Sequence, residues 1–140
     1  MNASIVREIM TPDPLTIELN EPVAAAAKAM RDHDIGPVLV TEQGQLRGML
    51  TDRDIVVRAV ASGKDPQQCT VGEICTCDPV TVEVDAPVEQ AIELMRREAI
   101  RRVPVVENNR PVGILSIGDL AIERDSDSAL ADISQAPPNN

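Results

Sequence analysis

The stretch VREIMTPDPLTIELNEPV (Val6–Val23) returns 65 residues later, without a gap, as VGEICTCDPVTVEVDAPV (Val71–Val88). The register continues through Met30-Arg31 and Met95-Arg96, Ile35 and Ile100, Gly48 and Gly113, and Leu50 and Leu115, to Asp54 and Asp119. Twenty of the 50 positions from Val6 to Ile55 are identical, far above chance. The chain is a tandem duplication, with repeat 1 at residues 5–61, a linker at 62–70, repeat 2 at 71–124 and a tail at 125–140. One unit of this size buries too little to stand alone, so the two are expected to pack as a pseudo-twofold pair.

Each copy reads β-α-β-β-α. A short strand, Leu15–Ile17 or Val80–Val82, follows an Asp-Pro. Next comes a helix with apolar residues at Val23, Ala26, Ala27 and Met30, or at Val88, Ala91, Ile92 and Met95. That spacing of i, i+3, i+4, i+7 is one stripe of an amphipathic helix. A strand at Val38–Thr41 or Val103–Val106 leads into a turn at Glu42-Gln43-Gly44 or Asn108-Asn109-Arg110. The return strand, Leu46–Leu50 or Val112–Leu115, ends at a closing helix that begins after Thr51 or Ser116. The expected fold class is α/β. Outer faces of the two stripes would leave an apolar patch in water, which points to a homodimer. The tail holds a short apolar pattern (Ala129, Leu130, Ile133) before QAPPNN, and reads as partly disordered.

Composition removes several function classes. The 140 residues carry 13 basic and 23 acidic side chains, a net charge of −10. Seven basic and ten acidic residues fall in 1–70, six and 13 in 71–140, so neither half is basic. Binding to nucleic acid or to an anionic membrane rests on Lys and Arg, and neither partner is expected. The chain has no Phe, Tyr or Trp, so it offers no stacking platform for single strands. No apolar run spans a bilayer and MNASIVREIMTPDP lacks a signal-peptide apolar region, so a cytoplasmic protein is expected.

Cys69, Cys75 and Cys77 are an odd number of thiols in C-x5-C-x-C spacing, which suggests neither a disulfide framework nor a four-ligand zinc site. Register sets Cys75 and Cys77 opposite Met10 and Pro12, so ordinary packing positions are expected, with redox or metal sensing as a rival use. The one histidine, His33, stands at a helix end where its charged form suits the dipole. No nucleophile pairs with a histidine base, no acidic cluster has metal-site spacing and no P-loop occurs, so no enzyme is expected.

The repeated constellation is Gly48-Met49-Leu50-Thr51-Asp52-Arg53-Asp54 and Gly113-Ile114-Leu115-Ser116-Ile117-Gly118-Asp119. A hydroxyl at a strand-to-helix turn precedes a carboxylate by three residues. One reading is a helix capping box, although Asp is shorter than the usual Glu or Gln and should reach back poorly. The other is a nucleotide site, with free amides and a hydroxyl for phosphate and a carboxylate for ribose hydroxyls. The strand glycine suits close approach of a ligand or a bulge.

With its Asp-Pro opening, its Ile100-Arg-Arg-Val-Pro104-Val strand and its Gly-h-h-Thr/Ser-x-x-Asp closing, the duplicated unit resembles the CBS domain. That family takes its name from cystathionine beta-synthase, and its domains occur as tandem pairs called Bateman modules. The resemblance covers about residues 5–124. It implies a stand-alone, non-catalytic regulatory module that binds AMP, ADP, ATP or another adenosine-containing ligand in two clefts between the repeats. It further implies that Asp54 and Asp119 hold ribose while Thr51 and Ser116 assist phosphate. By the family's pattern the Asp54 cleft would recruit Arg101 and Arg102 for phosphate, with Val80, Thr81 and Pro104 around the base. The Asp119 cleft would have Leu15, Thr16 and Leu39 there, with Gly36 and Pro37 where the arginines stand. Modules of this family pair face to face as dimers, and a lone module passes its signal to a protein partner in trans.

Overall fold

The structure, a computed structural model, describes residues 4–124. Along the first repeat run α1 (Val6–Ile9), β1 (Thr11–Pro12), β2 (Thr16–Glu18), α2 (Val23–His33), β3 (Val38–Glu42), β4 (Gln45–Leu50) and α3 (Asp52–Asp54), followed by a π-helical stretch, Ile55–Val60. Along the second run α4 (Val71–Ile74), β5 (Thr76–Cys77), β6 (Val82–Glu83), α5 (Val88–Glu98), β7 (Arg102–Glu107), β8 (Arg110–Ser116) and α6 (Ile117–Arg124). The β-α-β-β-α order appears in both copies, and each is preceded by a short helix and strand that the sequence reading lacks. The apolar pattern at Ala129, Leu130 and Ile133 lies outside the described residues.

Those preceding segments are exchanged between copies. One sheet has the order β2-β3-β4-β5 and the other β1-β8-β7-β6. Strand β5, from the second sequence repeat, pairs antiparallel with β4 of the first, and β1 pairs antiparallel with β8. The described residues accordingly form two compact units, one of Pro14–Pro79 with Asn109–Pro111, the other of residues 4–13, Val80–Asn108 and residues 112–124. The chain crosses from one to the other at Asp13-Pro14 and next to Asp78-Pro79. Asp13 and Asp78 turn there with φ of 55° and 49°, a left-handed conformation that Asp tolerates better than most residues.

Each unit has its own aliphatic core. The first joins Val23, Ala26 and Met30 of α2 to Val38, Val40 and Leu50 of the sheet, and to Val71, Ile74 and Cys75 of the exchanged segment. The second joins Val6 of α1 to Ala91 and Met95 of α5 and to Val103, Val105 and Leu115. The expected stripes are narrower than their spacing suggests: Ala27 is exposed and Ile92 half-buried. Both long helices end alike, with Asp34 (φ 54°) and Ala99 (φ 56°) left-handed and the following amides, Ile35 and Ile100, bonded back to Met30 and Met95 carbonyls.

The largest exposed apolar residues are not on those stripes. They are Val56, Val57 and Val60 of the π-helical stretch, at 58, 47 and 61% exposure, with Ile117 at 50% and Ile35 at 37%. Among the described residues no helix is long and apolar enough to cross a membrane.

Candidate functional site

Strand β4 delivers Leu50 to the core and then turns outward at Thr51. The Thr51 hydroxyl accepts the Asp54 amide at 3.1 Å, and the Asp54 carboxylate accepts the Thr51 amide through Oδ2 at 2.9 Å. The second copy repeats both bonds, Asp119 amide to the Ser116 hydroxyl at 3.1 Å and Ser116 amide to Asp119 Oδ2 at 2.9 Å. Both turns are reciprocal capping boxes. The expectation that Asp reaches back poorly is therefore wrong. The N-cap residue Thr51 is extended (φ −115°, ψ 165°), which lays its amide against the first turn within an aspartate's shorter reach.

In each case the capping bond uses Oδ2 and leaves Oδ1 to other partners. Oδ1 of Asp54, whose side chain is 16% exposed, lies 3.8 Å from Nε of Arg58, one turn on. Arg58 is held in turn by the Ile74 carbonyl, which accepts from its Nη1 at 3.0 Å. Oδ1 of Asp119 accepts instead from the Thr11 hydroxyl at 3.3 Å. The two copies thus give their carboxylates different company, a cation in one and a hydroxyl in the other.

Neither strand glycine faces an open ligand channel. A Cβ on Gly48 would meet the Thr76 carbonyl oxygen at 2.7 Å and the Cys75 sulfur at 2.8 Å, while one on Gly113 would meet the Thr11 carbonyl at 2.9 Å and the Met10 sulfur. Both glycines make room for a sulfur-bearing side chain of the exchanged segment. The bulge reading holds in part, since the β3–β4 register shifts between Val40, opposite Gly48, and Thr41, opposite Leu46.

The other predicted residues fall into two groups by unit. Leu15, Thr16, Leu39, Thr51 and Asp54 belong to the first, with Thr16 paired to Leu39 across β2 and β3. Val80, Thr81, Arg101, Arg102, Pro104, Ser116 and Asp119 belong to the second. The grouping implied by the family draws on both units. Within the second unit the Arg101 carbonyl accepts the Ile117 amide at 3.0 Å, beside the Ser116 turn. The matching place in the first unit is acidic, with Asp52 Oδ1 3.2 Å from where a Gly36 Cβ would stand. Arg101 is exposed and Arg102 half-buried; Leu39 and Pro104 are buried. Thr81 also lines a shallow depression of about 300 Å³ with Glu83, Glu93, Leu94 and Arg97.

All three cysteines fall in the first unit and are free. Cys75 fills a core position as expected, and so does Cys69; Cys77, expected at a packing position too, is exposed instead. Burial pushes the Cys69 thiol up, and burial first and Cys77 second push Cys75 up to about 11. No group of three or more His, Cys, Asp or Glu able to hold a metal occurs among the described residues. Sequence reasoning missed Arg58, whose i, i+4 spacing from Asp54 was the available signal.

The CBS domain family matches residues 6–60 and again 71–125. The chain is a tandem CBS-domain protein. It is 41% identical over 135 residues to the CBS domain-containing protein YhcV of Bacillus subtilis, covering 94% of this chain and 96% of that one. Among solved structures, hypoxic response protein I with two coordinated zinc ions superposes with a TM-score of 0.76 at 36% identity, over 86% of this chain and 98% of that one. The CBS pair of protein MJ0100, in complex with 5′-methylthioadenosine and S-adenosyl-L-methionine, gives 0.73 at 31% identity, over 86 and 94%.

Proposed function

We propose that this CBS pair is a non-catalytic regulatory module that binds AMP, ADP or ATP in clefts between the repeats and passes the binding signal to a protein partner in trans. What carries the reading is the repeated turn in which Asp54 and Asp119 are held by capping bonds through Oδ2 alone. A carboxylate fixed in this way, with a second oxygen in polar company, is poised to accept ribose hydroxyls. The adenosine compounds bound by the MJ0100 pair support the same class of ligand.

The Asp54 site is proposed as the better phosphate binder, with Arg101 and Arg102 as its cations and Val80, Thr81 and Pro104 around the base. The Asp119 site, with Leu15, Thr16 and Leu39, takes a less charged ligand or none. Copies of the chain are proposed to associate as a homodimer in the cytoplasm through the exposed Val56, Val57 and Val60.

Calorimetric titration with AMP, ADP, ATP and S-adenosylmethionine tests the reading. Loss of one guanidinium–phosphate contact costs about 1.5–3 kcal/mol, so Arg102→Ala weakens nucleotide binding roughly tenfold or more. Asp54→Asn keeps an oxygen for the cap yet drops the charge, so it separates a ligand role from capping. If no compound gives heat, capping is the whole function of these turns. If Asp119→Ala abolishes binding while Asp54→Asn and Arg102→Ala leave it intact, the assignment of the two sites is reversed.

A further inference from the structure

We propose that Cys75 and Cys77 form a dithiol that low-molecular-weight disulfides oxidise to a reversible intrachain disulfide. The backbone at Cys75 is extended (φ −72°, ψ 161°) and Thr76–Cys77 is strand, so the side chains of residues 75 and 77 leave the same face. The Cys77 thiol turns back toward residue 75, donating to its carbonyl oxygen at 3.9 Å. Gly48, opposite Cys77 in the ladder, supplies the space the Cys75 sulfur occupies.

Packing accounts for only one of the two thiols. In the other copy Met10 takes the place of Cys75 over the strand glycine, and Pro12 takes the place of Cys77. Cys75 is 7% exposed and belongs to the core, whereas Cys77 is exposed and outside it. A thiol at position 77 is therefore available to reagents in solution and contributes nothing to the core. Strand β5 ends its sheet and pairs through two residues only, which lets the two Cα atoms draw in to disulfide distance. A loop of one residue makes the bond strained and easily reduced. Cys69 stands apart, with its thiol toward the Glu73 carboxylate at 3.9 Å.

The chemistry balances in two exchanges. The Cys77 thiolate attacks one sulfur of the small disulfide; its S–S bond breaks and the departing thiolate takes up a proton. Cys75 then releases its proton to solvent, and its thiolate attacks the Cys77 sulfur of the mixed disulfide. The Cys75–Cys77 bond forms and the second small thiol leaves. Two protein thiols have lost two electrons and two protons, and one small disulfide has become two thiols. Because burial still raises the Cys75 thiol once Cys77 is held in the mixed disulfide, ring closure is the slow step at neutral pH and quickens as pH rises.

The full chain is incubated with glutathione disulfide, quenched with acid, alkylated after unfolding, and mapped by mass spectrometry. The expected product lacks two hydrogens, has Cys75 and Cys77 linked, and carries alkyl only on Cys69. Cys69→Ser leaves the reaction unchanged, Cys77→Ser abolishes it, and Cys75→Ser stops at a persistent glutathione adduct on Cys77. Cys77 is exposed, so Cys77→Ser folds and the comparison stands even if Cys75→Ser does not. A lasting glutathione adduct on native Cys77 with Cys75 still alkylated, or disulfide-linked dimers as the sole product, overturns the proposal.

Discussion

Replacing Gly48 by alanine probes the contact on which the first unit closes. The added methyl would stand 2.7 Å from the Thr76 carbonyl oxygen, about 0.7 Å short of the 3.4 Å at which ordinary contact begins, and 2.8 Å from the Cys75 sulfur. Neither neighbour yields freely. The carbonyl belongs to β5, which is laddered to β4 at Gly48–Cys77 and Met49–Thr76, and the sulfur is packed in the core. Overpacking of this kind costs about 1–3 kcal/mol, and the smaller unfolded-state entropy of Ala offsets about 0.4–1 of it. The expected net loss is about 1–2 kcal/mol. Gly113→Ala should lose less, because there the backbone oxygen, of Thr11, stands at 2.9 Å and the closest atom is the Met10 sulfur, the far end of a flexible side chain. Urea unfolding followed by far-ultraviolet circular dichroism gives the ranking, since the chain has no aromatic residue to report by fluorescence. Displacement of β5 should also speed alkylation of Cys75 in the folded protein. A Gly48→Ala protein as stable as its parent, with Cys75 no more reactive, would refute the packing argument.

Thr51→Ala and Ser116→Ala each remove the hydroxyl that accepts a first-turn amide, and should each lower stability by about 0.5–2 kcal/mol in urea titration. Leu115→Ala, at a fully buried site, should cost about 2–5 kcal/mol by the same measurement, whereas Ile117→Ala, half exposed, should stay within about 0.5 kcal/mol. Ala99→Gly relieves a left-handed alanine (φ 56°) at the end of α5 and should raise the melting temperature, by a gain of about 0.5–1 kcal/mol. Because the folded state holds the Cys75 proton up to about 11 while an ordinary thiol releases it near 9.0, the folded chain binds more protons and stability falls as pH rises through that window. Urea midpoints at successive pH values should show this decline, and Cys75→Ala should lessen it, leaving the share of the buried Cys69 thiol.

The duplication, the α/β class and most of the two apolar stripes (not Ala27, which is exposed, nor Ile92, half-buried) were legible because each rests on local periodicity or on identity at fixed offset. The exchange of segments was not. Helix α1 has four residues and β1 two, too short for any period to show, and their partner strands lie about 100 residues away. Val6 and Val71 looked alike in the repeat, but nothing in the alignment says that each completes the other copy's core. The same exchange explains the strand glycines, read from sequence as sites for a ligand or a bulge and found beneath Cys75 and Met10. Asp-Pro was legible as punctuation, while its function as the crossing point depends on φ values that a one-dimensional pattern does not carry.

Duplication gave the two copies one backbone and left their side chains free to differ, and some of the differences fall around the repeated turn. Asp54 has Arg58 beside it and Asp119 has Thr11. The position before β3 is Gly36 under an aspartate, and the position before β7 is Arg101 beside Ile117. The segment over the strand glycine carries Cys75 and Cys77 in one unit and Met10 and Pro12 in the other. A turn needed only to cap a helix places no demand on these neighbours, because the two capping bonds are the same length in both copies. Capping fixes where each carboxylate stands, and the proposed difference in ligand charge between the two sites rests on the neighbours that differ around it, a cation at Asp54 and a hydroxyl at Asp119.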